Sequence, residues 1–373
     1  MNNPSQDKIF FLPGLNGIRA IGILGVIASH TIHALNKFGL DNTIIGITED
    51  GRPRGIDFSH YAVTMFFVLS GFLITSLLTK EKEQYGMMSV RNFYIRRILR
   101  IWPLYYSYFV LVLLTIHIFH LNYNSDMIPF YIFLAANIPF ILSEAIPLLG
   151  HYWTLGVEEQ FYLLFPSIAR LNTNKLLRYT ILLIVLFMLL KLIAWYLSAN
   201  TQYKLPYRYF LLCRFQAMMA GVIAAIIFLQ NHPIISLLSK RWLYFMSWLC
   251  VGLSMINQFH ISSFIDHEIM IMATIIIIFE QIQSKPKCIN LENRIMDFLG
   301  KISYSIYVTH ILVIFLISKL AVYLIPYGLV NYYTVFTTVP IACIFVAYLS
   351  YNYFEIPFLN LKRKFEKISG NRP

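Results

Sequence analysis

Two ionisable side chains stand inside the first apolar stretch, Arg19 and His30, in Gly17-Ile-Arg-Ala-Ile-Gly-Ile-Leu-Gly-Val-Ile-Ala-Ser-His30. Removing such groups from water costs several kcal/mol, so those found in apolar segments mark partners, polar cavities or function. Eleven positions of helix rise about 16 Å and turn nearly three full times, which puts both side chains on one face. A guanidinium at one end of that face can hold an anion, and an imidazole at the other can move a proton. The competing reading of His30 is a histidine satisfied by a neighbouring helix. Its polar neighbours Ser29 and Thr31 and its shared face with Arg19 favour chemistry.

A carboxylate is expected at matching depth. Glu158 lies in His151-Tyr-Trp-Thr-Leu-Gly-Val-Glu-Glu-Gln-Phe-Tyr162, twelve residues from Arg170, and His30 lies twelve from Ile18. Each is then about 18 Å above the same membrane edge. A carboxylate beside an imidazole orients it and favours its protonated form. The alternative is an interfacial pair, Glu158 and Glu159, facing water beside Tyr152 and Trp153. Adjacent helical residues point about 100° apart, so at most one of the two faces His30, and depth barely separates them.

Arg97 and Arg100, in Arg96-Arg-Ile-Leu-Arg-Ile-Trp-Pro-Leu-Tyr105, share a helix face. Membrane anchoring explains such arginines as well as function does. The functional reading is a clamp for an anionic cofactor, because guanidinium binds phosphate bidentately. With Arg19 they form one layer that suits the phosphates of coenzyme A. Ser70 and Gly71 read first as small residues for close helix packing, and Ser70 has no base beside it in sequence. Arg214 and His310 could line a substrate path or be buried structural groups, and Glu355 could pair with the arginines. The four cysteines show neither metal-ligand spacing nor a disulfide framework, and no metal is expected.

The elements that must position these groups are membrane helices. The chain has 373 residues, 58% hydrophobic and 13% charged, with a mean hydropathy of +0.62. Soluble domains carry about 25% charged residues. An all-α, polytopic bundle of about ten spans is expected, at 18–36, 60–79, 101–120, 153–169, 179–197, 209–229, 241–258, 267–283, 301–324 and 331–355. The segment 128–142, broken by Pro129 and Pro139, reads as re-entrant or interfacial. The polar residues 1–17 lack a basic leader, so the first span is expected to be retained. With both termini cytoplasmic, the inner segments collect most of the 30 basic residues, among them Lys8, Arg91, Arg96, Arg97, Arg100, Lys285, Lys367 and Arg372. That distribution explains the net charge of +12 without nucleic-acid binding. The expected organisation is a cytoplasmic segment 1–17, a membrane domain 18–357 and a basic tail 358–373 that meets anionic lipid.

These pieces, in this order, resemble the acyltransferase family 3 membrane proteins. The residues that carry the likeness are Arg19 and His30, Phe66 to Thr75, Arg97 to Pro103, Trp153 to Pro166, Ser303 to His310, and Glu355 with Pro357. The resemblance implies a bundle of about ten helices in the bacterial cytoplasmic membrane. It implies transfer of an acyl group, usually acetyl, from acyl-coenzyme A to a hydroxyl of a surface glycan such as lipopolysaccharide O-antigen or exopolysaccharide. Some relatives modify small molecules such as macrolides. By position, Arg19 and His30 match the family's Arg–His pair, Arg97 and Arg100 its paired arginines, and Glu158 its acidic residue, which selects Glu158 over Glu159. Asn16 and Thr64 stand where Asp is common. No esterase-like domain is read after the last span, which leaves any second transfer step to a partner protein. A transporter or flippase for a lipid-linked glycan is the rival class, because charges and broken helices occur there too.

Overall fold

Apolar runs of this length must satisfy their backbone groups internally when water is absent, and helices do so within one segment. The computed structural model describes residues 12–48, 51–283, 287–324 and 330–366. Of the inner basic residues named above, Lys8, Lys285, Lys367 and Arg372 lie outside these, as do 1–11 of the expected N-terminal segment and 367–373 of the tail.

The helices run, in order, α1 (Leu15–Ala34), α2 (Phe58–Tyr85), α3 (Val90–Ile118), α4 (Ile128–Ile132), α5 (Asn137–Ile141), α6 (Trp153–Ala169), α7 (Thr173–Asn200) and α8 (Leu205–Cys213). They continue as α9 (Phe215–Leu229), α10 (Ile234–Leu238), α11 (Arg241–Met255), α12 (Asp266–Ile282), α13 (Arg294–Lys301), α14 (Ser303–Leu324), α15 (Tyr332–Leu349) and α16 (Ile356–Arg363). Side chains that occupy orphan backbone donors fix several starts. Ser89 accepts from the Asn92 N–H before α3, Asn172 from Lys175 before α7, and Asn331 from Thr334 before α15.

The ten expected segments are mostly helical, with 209–229 divided at Arg214 between α8 and α9. Among the described residues seven runs are long and apolar enough to cross a membrane: Leu15–Phe38, Phe58–Tyr85, Val90–Ile118, Thr173–Asn200, Leu205–Leu229, Ser303–Leu324 and Tyr332–Arg363. Helices α6, α11 and α12 have 17, 15 and 17 residues. They reach about 23–26 Å, short of a hydrocarbon core of about 30 Å. The third span differs from expectation at its start. Helix α3 begins at Val90, because the Ser89 cap sets its end and the basic turn Arg91–Arg100 is part of it. The segment 128–142 forms two five-residue helices, α4 and α5, neither long enough to span.

The core is built by close approach of α2 and α9. A Cβ on Gly71 would lie 1.9 Å from the Met218 carbonyl oxygen, and one on Gly221 would lie 2.1 Å from that of Val68. The backbones therefore touch at those two points, which only glycine permits. Helices α1 and α2 run antiparallel in a register that several contacts agree on. Ser29 donates to the Gly55 carbonyl and accepts from the Ser59 N–H. About two turns further along, Gly22 faces the Phe66 ring. Eleven residues on, Ser70 falls level with Ile18 and Arg19, about 16 Å from the Ser29–Ser59 contact.

Candidate active site

The polar side chains fall into two layers on opposite halves of α1. The first gathers around Arg19. Ser70 on α2 donates to Glu158 Oε1 at 3.0 Å, and Tyr162, one turn after Glu158 on α6, donates to Oε2 at 3.0 Å. The Arg97 guanidinium lies over the Tyr162 ring at 4.9 Å and the Phe93 ring at 5.6 Å. Arg19 and Arg97 lie within electrostatic range of each other and of both Arg100 and Glu158. Arg19 has one weak contact, to Asn16 Oδ1 at 3.5 Å. Among the described residues no carboxylate lies within ion-pair distance, 4.0 Å, of Arg19, Arg97 or Arg100. The guanidinium donors of Arg97 and Arg100 are thus free for an anion. Arg96, next in sequence, is committed elsewhere, to Glu81 at 3.1 Å and the Phe365 carbonyl at 2.8 Å.

The second layer gathers around His30. Its ring meets His310, with Nδ1 and Nε2 3.0 Å apart and ring centroids 4.9 Å apart. His310 packs at 5.0 Å from His151, whose Nε2–H donates to the Val308 carbonyl at 3.0 Å and whose Nδ1 is buried without a partner. Thr154 on α6 donates to the Tyr307 hydroxyl at 2.7 Å, and that hydroxyl donates to the His151 carbonyl at 3.0 Å. His60 on α2 lies within electrostatic range of His30. Both His30 and His60 keep part of their surface accessible.

The expected contact of Glu158 with His30 is corrected here. Glu158 belongs to the arginine layer, because Ser70, its partner, is level with Arg19. The α3–α6 packing agrees: Tyr94 bonds the Leu163 carbonyl and Tyr152 bonds the Tyr105 carbonyl, a register that sets Glu158 level with Arg100. Counting residues from an assumed membrane edge put Glu158 too high, because α6 is short and α1 begins before Ile18. Glu159 faces another way, accepting from Trp102 Nε1 at 3.3 Å. Glu355 accepts from Ser305 at 2.5 Å and Ser350 at 3.1 Å rather than from an arginine, with Arg100 in electrostatic range.

Arg214 occupies a third position. It breaks the α8–α9 run with φ 40° and ψ 39°, a region L-residues seldom adopt. At 2% exposure its guanidinium donates to the carbonyls of Leu211 and His60 and to the Thr64 hydroxyl, at 2.6, 2.7 and 2.9 Å. It also lies over the Trp153 ring at 5.7 Å. Arg214 pins the broken helix to α2, and Thr64, the residue found where Asp is common, is its neutral acceptor. Tyr162 and His60 escaped the sequence reading. The spacing of Tyr162 four residues after Glu158 was the available signal for the first. Among the described residues no group of three or more His, Cys, Asp or Glu side chains could hold a metal ion.

Comparison with known proteins places the chain in a family. Residues 12–351 match the profile of a family described as an acyltransferase domain. The chain is 29% identical over 396 aligned positions to a protein of Staphylococcus aureus strain COL provisionally named an O-acetyltransferase, covering 94% of this chain and 58% of that protein. It is 33% identical over 168 positions to O-acetyltransferase OatA of S. aureus strain NCTC 8325, covering 42% of this chain and 24% of OatA. The chain thus spans under two thirds of the length of these relatives. No solved structure matches.

Proposed function

We propose that this chain, which belongs to the acyltransferase domain family, moves an acyl group, most simply acetyl, from acyl-coenzyme A to a hydroxyl of a cell-surface glycan. The observation that carries the reading is the separation of a phosphate-suited layer from an imidazole layer by about 16 Å along one helix face. The O-acetyltransferase names of its relatives support the acetyl group. The donor enters from the cytoplasm at the arginine end. Arg97 and Arg100, with Arg19 deeper, hold its phosphates by charge-assisted hydrogen bonds. The pantetheine arm then extends along α1 and places the thioester carbonyl beside His30.

His30 acts as general base. It takes the proton of the acceptor hydroxyl as that oxygen attacks the carbonyl carbon. The tetrahedral intermediate collapses, the C–S bond breaks, and the imidazolium returns its proton to the departing coenzyme A sulfur. Glu158, held by Ser70 and Tyr162, lines the donor's path and limits positive charge in the arginine layer. The acceptor approaches from the opposite face or laterally on a lipid carrier. A flippase for a lipid-linked glycan draws support from the break at Arg214, and coenzyme A dependence separates the two. The test compares surface glycan from cells with wild type, His30→Ala and no gene, by mass before and after mild base. A base-labile acetyl increment present only with wild type is expected. The same increment with His30→Ala would refute the mechanism.

A further inference from the structure

An imidazole has two nitrogens, and a base needs the right one free. The partners of His310 decide which. Its Nδ1 lies 2.7 Å from the Tyr307 carbonyl oxygen and 3.2 Å from that of Ile306. A carbonyl oxygen only accepts, so Nδ1 of His310 carries a hydrogen. In the neutral ring Nε2 is then a lone pair. That lone pair faces His30 Nδ1 at 3.0 Å. Two lone pairs do not share a hydrogen bond, so His30 Nδ1–H donates. His30 is thereby left with its own lone pair on Nε2. The tautomers follow from the partners and not from placed hydrogens.

His310 is built to stay where it is. It is fully buried on α14. The rings of His151 and Tyr307 flank it at 5.0 and 5.7 Å, and both are tied down by their own hydrogen bonds to backbone. We propose that His310 is a positioning residue for His30, holding it as the Nδ1–H tautomer so that Nε2 meets the acceptor hydroxyl. This rests on the reading of His30 as base. Once Nε2 is protonated, the bond from Nδ1–H to His310 becomes charge-assisted and stronger. A neutral imidazole thus fills the place of the carboxylate that usually backs a catalytic histidine.

The experiment uses the full chain in native membranes, reading incorporation of label from acetyl-coenzyme A into base-labile material. Folded protein is checked by size-exclusion chromatography. His310→Leu removes the acceptor and is expected to lower kcat about 10–100-fold, as loss of an orienting partner does elsewhere, with the donor KM unchanged. His310→Gln restores an acceptor near the lost Nε2 and is expected to recover at least about tenfold over His310→Leu, within that same range. If His310→Leu does not fold, His310→Phe keeps a ring at the site without the acceptor nitrogen, and the same loss is expected. Full activity of His310→Leu, or of His310→Phe, beside an inactive His30→Ala overturns the role of His310 and leaves the base intact. His310→Gln no better than His310→Leu, with both folded, marks a packing role and also overturns it. An active His30→Ala overturns both readings.

Discussion

The two layers along α1 hold their polar groups in opposite ways. Around Arg19 the groups are charged, and Glu158, the carboxylate within range of both Arg19 and Arg97, is occupied by hydroxyls. Around His30 they are imidazoles and hydroxyls joined to one another and to backbone. Free cationic donors suit a ligand that brings its own charge. Neutral groups whose hydrogens are set by fixed partners suit proton movement. The difference teaches that donor affinity and chemistry are separable in this bundle, and substitutions in each layer should read out differently.

The largest effect is expected where both layers lose their frame. Gly71→Val would drive a side chain into the Met218 backbone. Little folded protein is expected in detergent by size-exclusion chromatography, and a normal yield would show that α2 and α9 do not pack as described. Next is His30→Ala, expected to lower kcat by about 10²–10⁴, the usual range for a general base, while donor affinity holds. Replacing Arg97 and Arg100 together by alanine should act in the reverse sense. Donor KM is expected to rise about tenfold or more, the loss of two bonds to charged groups at about 1.5–3 kcal/mol each being an upper guide. A fall in kcat with constant KM would break the comparison.

Smaller still is Glu158→Gln, which keeps an acceptor for Ser70 and Tyr162. An effect of about tenfold or less, confined to donor KM, is expected for loss of charge in a hydrogen-bonded site. A large loss of kcat would return Glu158 to the side of His30. Ser70→Ala removes one hydrogen bond, about 1 kcal/mol, and should change donor KM by a few-fold at most.

The sequence disclosed one helix well and the relations between helices poorly. Arg19 and His30 were legible because they share α1, where spacing alone fixes distance and face. Arg97 and Arg100 were legible for the same reason on α3. Glu158 was found by type but misplaced by depth, since its level depends on how α6 crosses α2 and α3. The His30–His310 contact joins residues on α1 and α14, and no local pattern encodes it. Arg214 showed as a charge in an apolar run, but its break and its three acceptors emerged only from the packing of α2 against α9. The helices themselves followed the apolar runs, with α6, α11 and α12 shorter than a simple span requires.

The most direct test of two separable layers is equilibrium binding of acetyl-coenzyme A to purified protein, comparing His30→Ala with the Arg97→Ala, Arg100→Ala double variant. Wild-type affinity for His30→Ala and a weakening of about tenfold or more for the double variant are the predicted results. Lost binding in His30→Ala, or unchanged binding without the two arginines, would contradict the account.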